Sequence, residues 1–167
     1  WFYNNGVATY ITGHHYMFLQ WSKIDIGYPT YLEFQRRLFI HFSACEADPR
    51  CMGQIYTKCR RSGYTNMSSS IMVNEAKRIT KKNKNVQKGE ALDTIINWKN
   101  TVSNAYDGSK THLLFLDEAG KFEKGIDIRE VWRIHRTCLL VGRRVIGKSL
   151  VGSTVNPLDK GGREYRD

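Results

Sequence analysis

Two adjacent carboxylates, Asp117 and Glu118, directly follow the apolar run at 113–116. Such a run predicts a buried strand, and ligands of open α/β sheets bind beyond the carboxyl ends of the strands. Nucleotide hydrolysis needs two such groups, one to hold Mg²⁺ and one to orient and deprotonate the attacking water. The pair therefore predicts a hydrolytic site if a phosphate-binding loop lies nearby. The alternative is a strand that ends in an exposed acidic turn.

A candidate phosphate loop, KCRRSGYT at 58–65, lies between a predicted strand and a predicted helix. Gly63 permits close approach of the backbone to phosphate, and Thr65 supplies a hydroxyl for Mg²⁺. Tyr64 stands where the standard loop has lysine. Three upstream cations are each candidates for neutralising a γ-phosphate: Lys58, Arg60 and Arg61. The alternative is an ordinary basic turn between strand and helix.

A literal GxxxxGK[ST] motif occurs at 142–149, and we expect it to be a coincidental match. A phosphate loop must open a helix, so that backbone N–H groups and the helix N-terminus bind the phosphates. Gly152 and Pro157 follow too closely for a helix of useful length. The motif also comes after the acidic strand, which reverses the usual order.

The elements that must position these residues alternate along the chain. Residue types and spacing predict strands at 16–24, 53–58, 95–101, 111–116 and 148–154, and helices at 29–47, 64–79 and 126–141. Strands alternating with helices predict an α/β fold with a mainly parallel sheet covered on both faces. We expect one domain over 1–167, cut from a longer protein because the chain opens on Trp1 and stops at Asp167.

The charge of the chain indicates a polyanionic partner. Lys and Arg number 26 against 16 Asp and Glu, which gives a net charge of +10. Within the basic stretch 77–88, we expect weak contacts with a DNA backbone from Lys81, Lys82 and Lys84, although a solvated run of charge is the alternative. No apolar run is long enough to span a membrane. The cysteines form no CxxC pair and His14 adjoins His15, so we expect neither a zinc site nor a disulfide framework.

Together, KCRRSGYT, LLFLDEAG and GSTVNP resemble the ATPase part of the large terminase subunit of tailed bacteriophages, in particular of crAss-like phages. The resemblance implies a P-loop NTPase fold of the RecA-like, ASCE type, a three-layer sandwich around a mainly parallel sheet. It implies ATP and Mg²⁺ as cofactors, with Asp117 and Thr65 at the metal and Glu118 as general base. Arg60 joins Glu118 as a candidate catalytic group.

The resemblance also assigns residues away from the acidic strand. It implies an adenine contact from Gln35 and a nucleotide-binding set of Gln35, Lys58, Arg60, Arg61, Ser62, Gly63, Tyr64 and Thr65. It implies a coupling motif that senses the γ-phosphate state at Gly152, Ser153 and Thr154. The polar stretch after the phosphate-loop helix is shorter than is usual in the family.

The function implied by the resemblance is ATP-driven packaging of double-stranded viral DNA. The implied partners are the DNA, a portal protein, a small terminase subunit and further copies of the chain in a ring. The implied location is the cytoplasm of the infected bacterium and, transiently, the procapsid portal. The nuclease domain of full-length terminases is not among these residues. A helicase-like DNA translocase and a non-catalytic, basic DNA-binding remnant remain as alternatives.

Overall fold

The computed structural model describes residues 2–24, 27–78, 94–100, 102, 104–122, 126–154 and 165. Lys81, Lys82 and Lys84 lie outside these residues, as does the end of GSTVNP beyond Thr154. The described elements in chain order are β1 (Phe2–Asn4), β2 (Val7–Thr9), α1 (Gly13–Trp21), α2 (Glu33–Ala47), β3 (Gly53–Lys58), α3 (Tyr64–Arg78), β4 (Leu113–Asp117), α4 (Ile128–Cys138), β5 (Leu140–Val141), β6 (Arg144–Val145) and β7 (Lys148–Thr154). A 3₁₀ turn at Ala119–Lys121 follows β4.

The described central sheet has three parallel strands in the order β3-β7-β4. Lys58 pairs with Thr154, and Asp117 pairs with Gly152, so all three strands end at the same edge. Two short antiparallel pairs, β1–β2 and β5–β6, lie outside this sheet. The prediction of an α/β fold with a parallel sheet flanked by helices is confirmed, although the described sheet is small.

The main core lies between the sheet and helices α1, α2 and α3. Side chains alternate across a strand, so one face of the sheet presents Leu150 to Phe39 and Phe42 of α2 and to Met67 and Ile71 of α3, and all five are fully buried. Helical spacing of these apolar residues gives α2 and α3 one buried side each. This packing fixes the start of α3 against the ends of the strands.

The predicted strand at 16–24 is wrong, because residues Gly13–Trp21 form α1. The hydroxyl of Thr12 accepts a hydrogen bond from the backbone N–H of His15 and caps the first turn. The buried residues, including Phe18 and Leu19, recur at helical spacing. The aromatic content of this segment favours a strand, but the cap and the spacing outweigh it.

The predicted strand at 95–101 is not formed in the described residues 94–100, which have no regular structure. Ile95 is 83% exposed and Trp98 is 80% exposed. β-branched residues stabilise a strand through packing against neighbours, and these side chains lack that burial. The other predicted elements are formed, since α2, β3, α3, β4, α4 and β7 all lie within the predicted ranges apart from one or two residues at their ends. The helix predicted at 126–141 is too long, because α4 ends at Cys138 and Leu140–Val141 form β5. No helix in the described part of the chain is long and apolar enough to cross a membrane.

Candidate functional site

The candidate loop and the acidic strand meet at the edge of the sheet where the parallel strands end. Thr65, the second residue of α3, donates a hydrogen bond from Oγ1 to Oδ2 of Asp117 at 2.7 Å. Asp117 is the last residue of β4. The two residues lie 52 positions apart in the sequence. Their contact brings a hydroxyl oxygen and a carboxylate, both preferred ligands of Mg²⁺, to one point.

Lys58, the last residue of β3, crosses this edge of the sheet and joins the loop to both carboxylates. Its Nζ lies 3.2 Å from Oδ1 of Asp117 and 2.7 Å from Oε1 of Glu118, and only 8% of its side chain is exposed. Burial by itself lowers the pKa of Lys58, but the hydrogen bonds to Glu118 and Asp117 outweigh it and raise the pKa. The site therefore holds the ammonium of Lys58 between two carboxylates that favour its charged form.

Glu118 is held by two further groups besides Lys58. Its Oε2 accepts a hydrogen bond from Thr154 Oγ1 at 3.2 Å and lies 2.9 Å from Nζ of Lys121. Burial alone would raise its pKa, but hydrogen bonds from Lys58 and Lys121 lower the pKa to about 2. Its backbone is left-handed, with a φ of 51°, a conformation that is uncommon outside glycine. In this arrangement Glu118 is ionised and can act only as an acceptor.

The loop between β3 and α3 presents backbone and positive charge to the same edge. Gly63 has a φ of +74°, a left-handed conformation that favours glycine, and its carbonyl accepts the first hydrogen bond of α3 from Met67. The N-terminus of this 15-residue helix carries a positive partial charge. The side chains of Arg60 and Arg61 are exposed and form no ion pair with Asp117 or Glu118. Of the three candidate cations, the structure brings only Lys58 to the carboxylates.

Tyr64 lies in the core and not at the surface of the loop. Its side chain is 1% exposed and its ring stacks on Tyr56 with centroids 5.4 Å apart. A Cβ atom on Gly152 would lie 2.0 Å from this ring, so the glycine of β7 leaves room for the tyrosine. Burial raises the pKa of Tyr64 well above its ordinary value. Tyr64 therefore anchors the loop, and its side chain does not face the strand tips as a free ligand.

Some of the other predicted residues contact the acidic pair directly, and others contact the loop or are buried behind it. Gln35 is 95% buried on α2, and its Nε2 lies 3.5 Å from the carbonyl oxygen of Ser62, at the outer limit of a hydrogen bond. Thr154 reaches Glu118 directly. Ser153 is fully buried, and its hydroxyl donates to the carbonyl of Thr154 at 2.9 Å. The structure thus brings Gln35 to the loop and Thr154 to the acidic pair.

The literal GxxxxGK[ST] motif lies at the other end of β7. Gly142 is in the turn between β5 and β6, and Lys148 begins the strand β7. Nζ of Lys148 donates to the carbonyl oxygens of Asp48 at 2.7 Å and Cys51 at 2.5 Å. A strand and not a helix follows the motif, as expected. With six residue steps at about 3.3 Å each, Lys148 and Thr154 are separated by roughly 20 Å along the strand.

Sequence reasoning missed two residues near the site. Lys121 contacts Glu118 from three residues further along the chain. In the segment DEAGK this spacing could have predicted the ion pair, because residues three apart face each other on a helical turn. The hydroxyl of Tyr165 donates to the carbonyl oxygen of Tyr56 at 3.0 Å. No local pattern predicts this second contact, because the partners are 109 residues apart.

Comparison with known proteins assigns neither a family nor a function to this chain. No protein-family model matches the sequence, and no curated protein and no solved structure matches it either. A fold by itself does not determine a function. The chemistry of the site must therefore carry any functional conclusion.

Proposed function

We propose that this chain is an ATPase that uses Mg²⁺, and that it is the motor domain of a DNA-packaging machine of the large terminase type. The proposal includes a P-loop NTPase fold of the RecA-like, ASCE type. One observation carries the catalytic part. Thr65 at the start of α3 contacts Asp117 at the tip of β4, and Lys58 joins both to Glu118. These contacts support the proposal, because the residues assigned to the phosphate loop, the metal and the base lie at one edge of the sheet.

The loop and the helix start would bind the phosphates of ATP. Backbone N–H groups around Arg61–Gly63 and the positive end of α3 suit an anion. Lys58 adds a full positive charge that is already desolvated at the site. Because Tyr64 is buried, its contribution to nucleotide binding is limited to its backbone. Lys58 would be the phosphate-binding cation, because Tyr64 replaces the lysine of the standard loop and carries no positive charge.

Thr65 and Asp117 fit a magnesium ion, because both offer oxygen donors and their side chains already touch. When bound, Mg²⁺ neutralises charge on the phosphates and orients them for in-line attack. The ammonium of Lys58 beside Asp117 supports this assignment, because a positive charge already lies at the carboxylate. Asp117 would therefore supply the carboxylate ligand of the metal, and Thr65 would supply a hydroxyl ligand from the loop.

Glu118 would position and deprotonate the attacking water. A carboxylate with a pKa of about 2 is a weak general base. Transfer of Lys58 from the carboxylates to the phosphates removes one of the groups that lower this pKa, so nucleotide binding makes Glu118 more basic. Thr154 contacts the same carboxylate from β7. A change at Glu118 is therefore transmitted to the coupling motif at Gly152–Thr154.

The DNA-packaging part of the proposal depends on the resemblance of the motifs and on the net charge of +10. It includes double-stranded DNA as substrate, a ring of identical subunits, and a portal protein and small subunit as partners. A helicase-like translocase shares the same catalytic geometry. It would differ in using a second motor domain where a terminase has a nuclease domain.

Substitution of Glu118 tests the catalytic proposal. Glu118→Gln keeps the shape of the side chain but removes the base, so we expect ATP hydrolysis to fall about 10²-fold or more. Binding of a fluorescent ATP analogue should persist. Phosphate release and analogue fluorescence measure the two properties, with Glu130→Gln on the exposed face of α4 as the matched control. Unchanged hydrolysis in Glu118→Gln would remove Glu118 from the mechanism.

A paired lysine experiment identifies the phosphate loop. Lys58→Met removes the cation at the strand tips, and we expect nucleotide binding to fall at least tenfold. Lys148→Met removes the lysine of the literal motif, and here we expect normal binding with lower thermal stability, because two carbonyl oxygens lose their donor. The reverse result would assign the nucleotide to 142–149. If the unsubstituted chain binds DNA but no nucleotide, the non-catalytic remnant is the better description.

A further inference from the structure

A second cluster of metal-ligating side chains lies away from the strand tips, at the far ends of the helices. His14 is in the first turn of α1, Glu46 is in the last turn of α2 and Glu75 is in the last turn of α3. Nε2 of His14 lies 2.9 Å from Oε2 of Glu46 and 3.4 Å from Oε1 of Glu75. Thr65 and Glu75 are ten residues apart on α3, which is about 15 Å at 1.5 Å per residue. The cluster is thus separate from the proposed ATPase site.

The three donor atoms have the spacing of ligands around a single ion. The His and carboxylate atoms all lie within 4.8 Å of one another. Ligands about 2.1 Å from a tetrahedral ion stand roughly 3.4 Å apart. The His14 side chain is only 3% exposed, whereas Glu46 and Glu75 are 23% and 17% exposed. The imidazole is therefore fixed in the interior, and the carboxylates leave a path for an ion to enter.

The helix ends give an independent reason to expect a cation. The C-terminus of a helix carries a negative partial charge, which disfavours carboxylates in the last turn. Glu46 and Glu75 both occupy such turns, and they face each other across His14. A divalent ion between the two carboxylates offsets the negative partial charge of both helix ends.

A neighbouring amide holds the imidazole in place. Nδ2 of Asn74 lies 3.0 Å from Nδ1 of His14, so in this arrangement Nδ1 accepts from the amide and Nε2 donates to Glu46. A metal ion on Nε2 requires the ring proton on Nδ1, so the ion-bound state needs the Asn74 amide turned over to present its oxygen to Nδ1. The edge of the ring also contacts Phe42, with centroids 5.5 Å apart. The orientation of His14 is thus set by groups that are not ligands.

We propose that His14, Glu46 and Glu75 form a binding site for one divalent transition-metal ion of the Mn²⁺-to-Zn²⁺ class. One imidazole and two carboxylates suit these ions. Three protein ligands leave the remaining positions to water. The ion cross-links α1, α2 and α3 at the end of the core opposite the strand tips, so it stabilises the helical layer. The site is independent of ATP hydrolysis.

Electron paramagnetic resonance of the metal-stripped chain with added Mn²⁺ tests the site directly. Mn²⁺ is the probe because thiolates favour softer ions, so the cysteines compete little. Spin-echo spectra should show ¹⁴N coupling from one bound imidazole. Thr65 and Asp117 at the strand tips provide only oxygen, so this signal distinguishes the two sites. Zn²⁺ should displace the bound Mn²⁺ and raise the melting temperature.

Substitutions connect that signal to the cluster. Glu75→Gln and Glu46→Gln keep side-chain volume, and we expect each to weaken Mn²⁺ binding at least tenfold and to abolish the thermal shift caused by Zn²⁺. Glu130→Gln on α4 is the control and should bind as the unsubstituted chain does. Absence of ¹⁴N coupling at saturating Mn²⁺ would overturn the proposal, and this measurement requires no variant. Equal affinity in Glu75→Gln, Glu46→Gln and Glu130→Gln would overturn it as well.

Discussion

Glu118 shows how single side chains set the chemistry of the strand tips. Two lysines and one threonine hydroxyl contact its carboxylate, and the lysines act in the same direction on its pKa. Lys58 is also the proposed phosphate-binding cation, whereas Lys121 pairs only with Glu118 among the described ion pairs. Lys121 is therefore a positioning residue whose removal affects Glu118 alone.

Replacement of Lys121 should change the pH dependence of hydrolysis. Lys121→Met removes a group that lowers the pKa of Glu118, so this pKa moves up toward its ordinary value. The base must be ionised to act, and hence the acidic limb of the kcat/KM profile should move to higher pH. Lys121→Arg keeps the charge and should behave as the unsubstituted chain does. A Lys121→Met profile that coincides with the unsubstituted one would contradict the positioning role.

His15 links a buried residue to the pH dependence of stability. Its ring is fully buried between Phe39 and Tyr31, and neither ring nitrogen has a hydrogen-bond partner among the described residues. Burial lowers its pKa from 6.5 to about 4, with a smaller contribution from Arg36. The unfolded chain therefore binds a proton between these pH values and the folded chain does not. This contribution to stability is complete above pH 6.5 and is lost as the pH falls toward 4.

Substitution of His15 by phenylalanine should remove that dependence. We expect His15→Phe to match or exceed the unsubstituted chain in free energy of unfolding at pH 7, because no hydrogen bond within the described structure is lost. At pH 5 the variant should be more stable, by an amount on the order of 1–2 kcal/mol. Urea unfolding at the two pH values gives the comparison. An equal fall in stability for both proteins would mean that other groups cause the acid sensitivity.

At the scale of elements, the contact between α3 and β7 joins the candidate phosphate loop to the proposed coupling motif at Gly152–Thr154. The Tyr64 ring at the start of α3 lies against Gly152, where a Cβ atom would come within 2.0 Å of the ring. The same helix carries Thr65 to Asp117. Displacement of α3 from β7 therefore disturbs core packing and the site together.

Gly152→Ala measures that packing. We expect it to lower the free energy of unfolding by about 3 kcal/mol, because the methyl group overpacks a rigid interior. In a Tyr64→Ala background the same substitution should cost much less, since the ring is absent, so the double mutant should be non-additive by more than 1 kcal/mol. Gly13→Ala, with open space around its Cβ position, is the control and should be near neutral. Additive urea-unfolding energies for Gly152→Ala and Tyr64→Ala would contradict direct contact.

The elements also show which features the sequence could predict. The loop and the acidic strand were recognisable because each motif is local, and the parallel pairing of β3, β7 and β4 then brings their ends together. The choice of Lys58 over Arg60 and Arg61 was not predictable, because it depends on the reach of one side chain across the sheet edge. The cluster at His14 left no sequence signal, because His14 and Glu46 are 32 residues apart and lie on different helices. Two adjacent histidines, His14 and His15, do not have a usual metal-ligand spacing, so the sequence predicted that no zinc site is present.

The whole molecule combines a small parallel sheet with a large positive charge. Lys58 and Lys121 are paired with acids at the proposed nucleotide site, so the net charge of +10 comes from cations elsewhere in the sequence. Excess positive charge raises the local concentration of a polyanion and favours DNA binding. The basic stretch 77–88, with six cations and no acid, is the densest concentration of that charge in the sequence.

The salt dependence of DNA binding tests whether that stretch contacts the phosphate backbone. Each neutralised phosphate contributes about 0.9 to the slope of log affinity against log salt for double-stranded DNA. Replacement of Lys81, Lys82 and Lys84 by alanine should therefore reduce the slope by about 2 to 3 if all three make contacts. Fluorescence anisotropy of a labelled duplex over a series of salt concentrations provides the slope. ATP hydrolysis without DNA should be unchanged, because none of these three lysines belongs to the proposed catalytic set.

A control with the same change in net charge separates local contact from general attraction. Lys23, Arg143 and Arg144 are exposed and lie outside the basic stretch, so their replacement also removes three positive charges. General attraction predicts equal effects of the two triple variants on affinity and on slope. A path for DNA along 77–88 predicts a reduced slope in the first variant only. Equal slopes would mean that the attraction comes from the charge of the whole surface, and the proposed motor would then have to contact DNA through other residues.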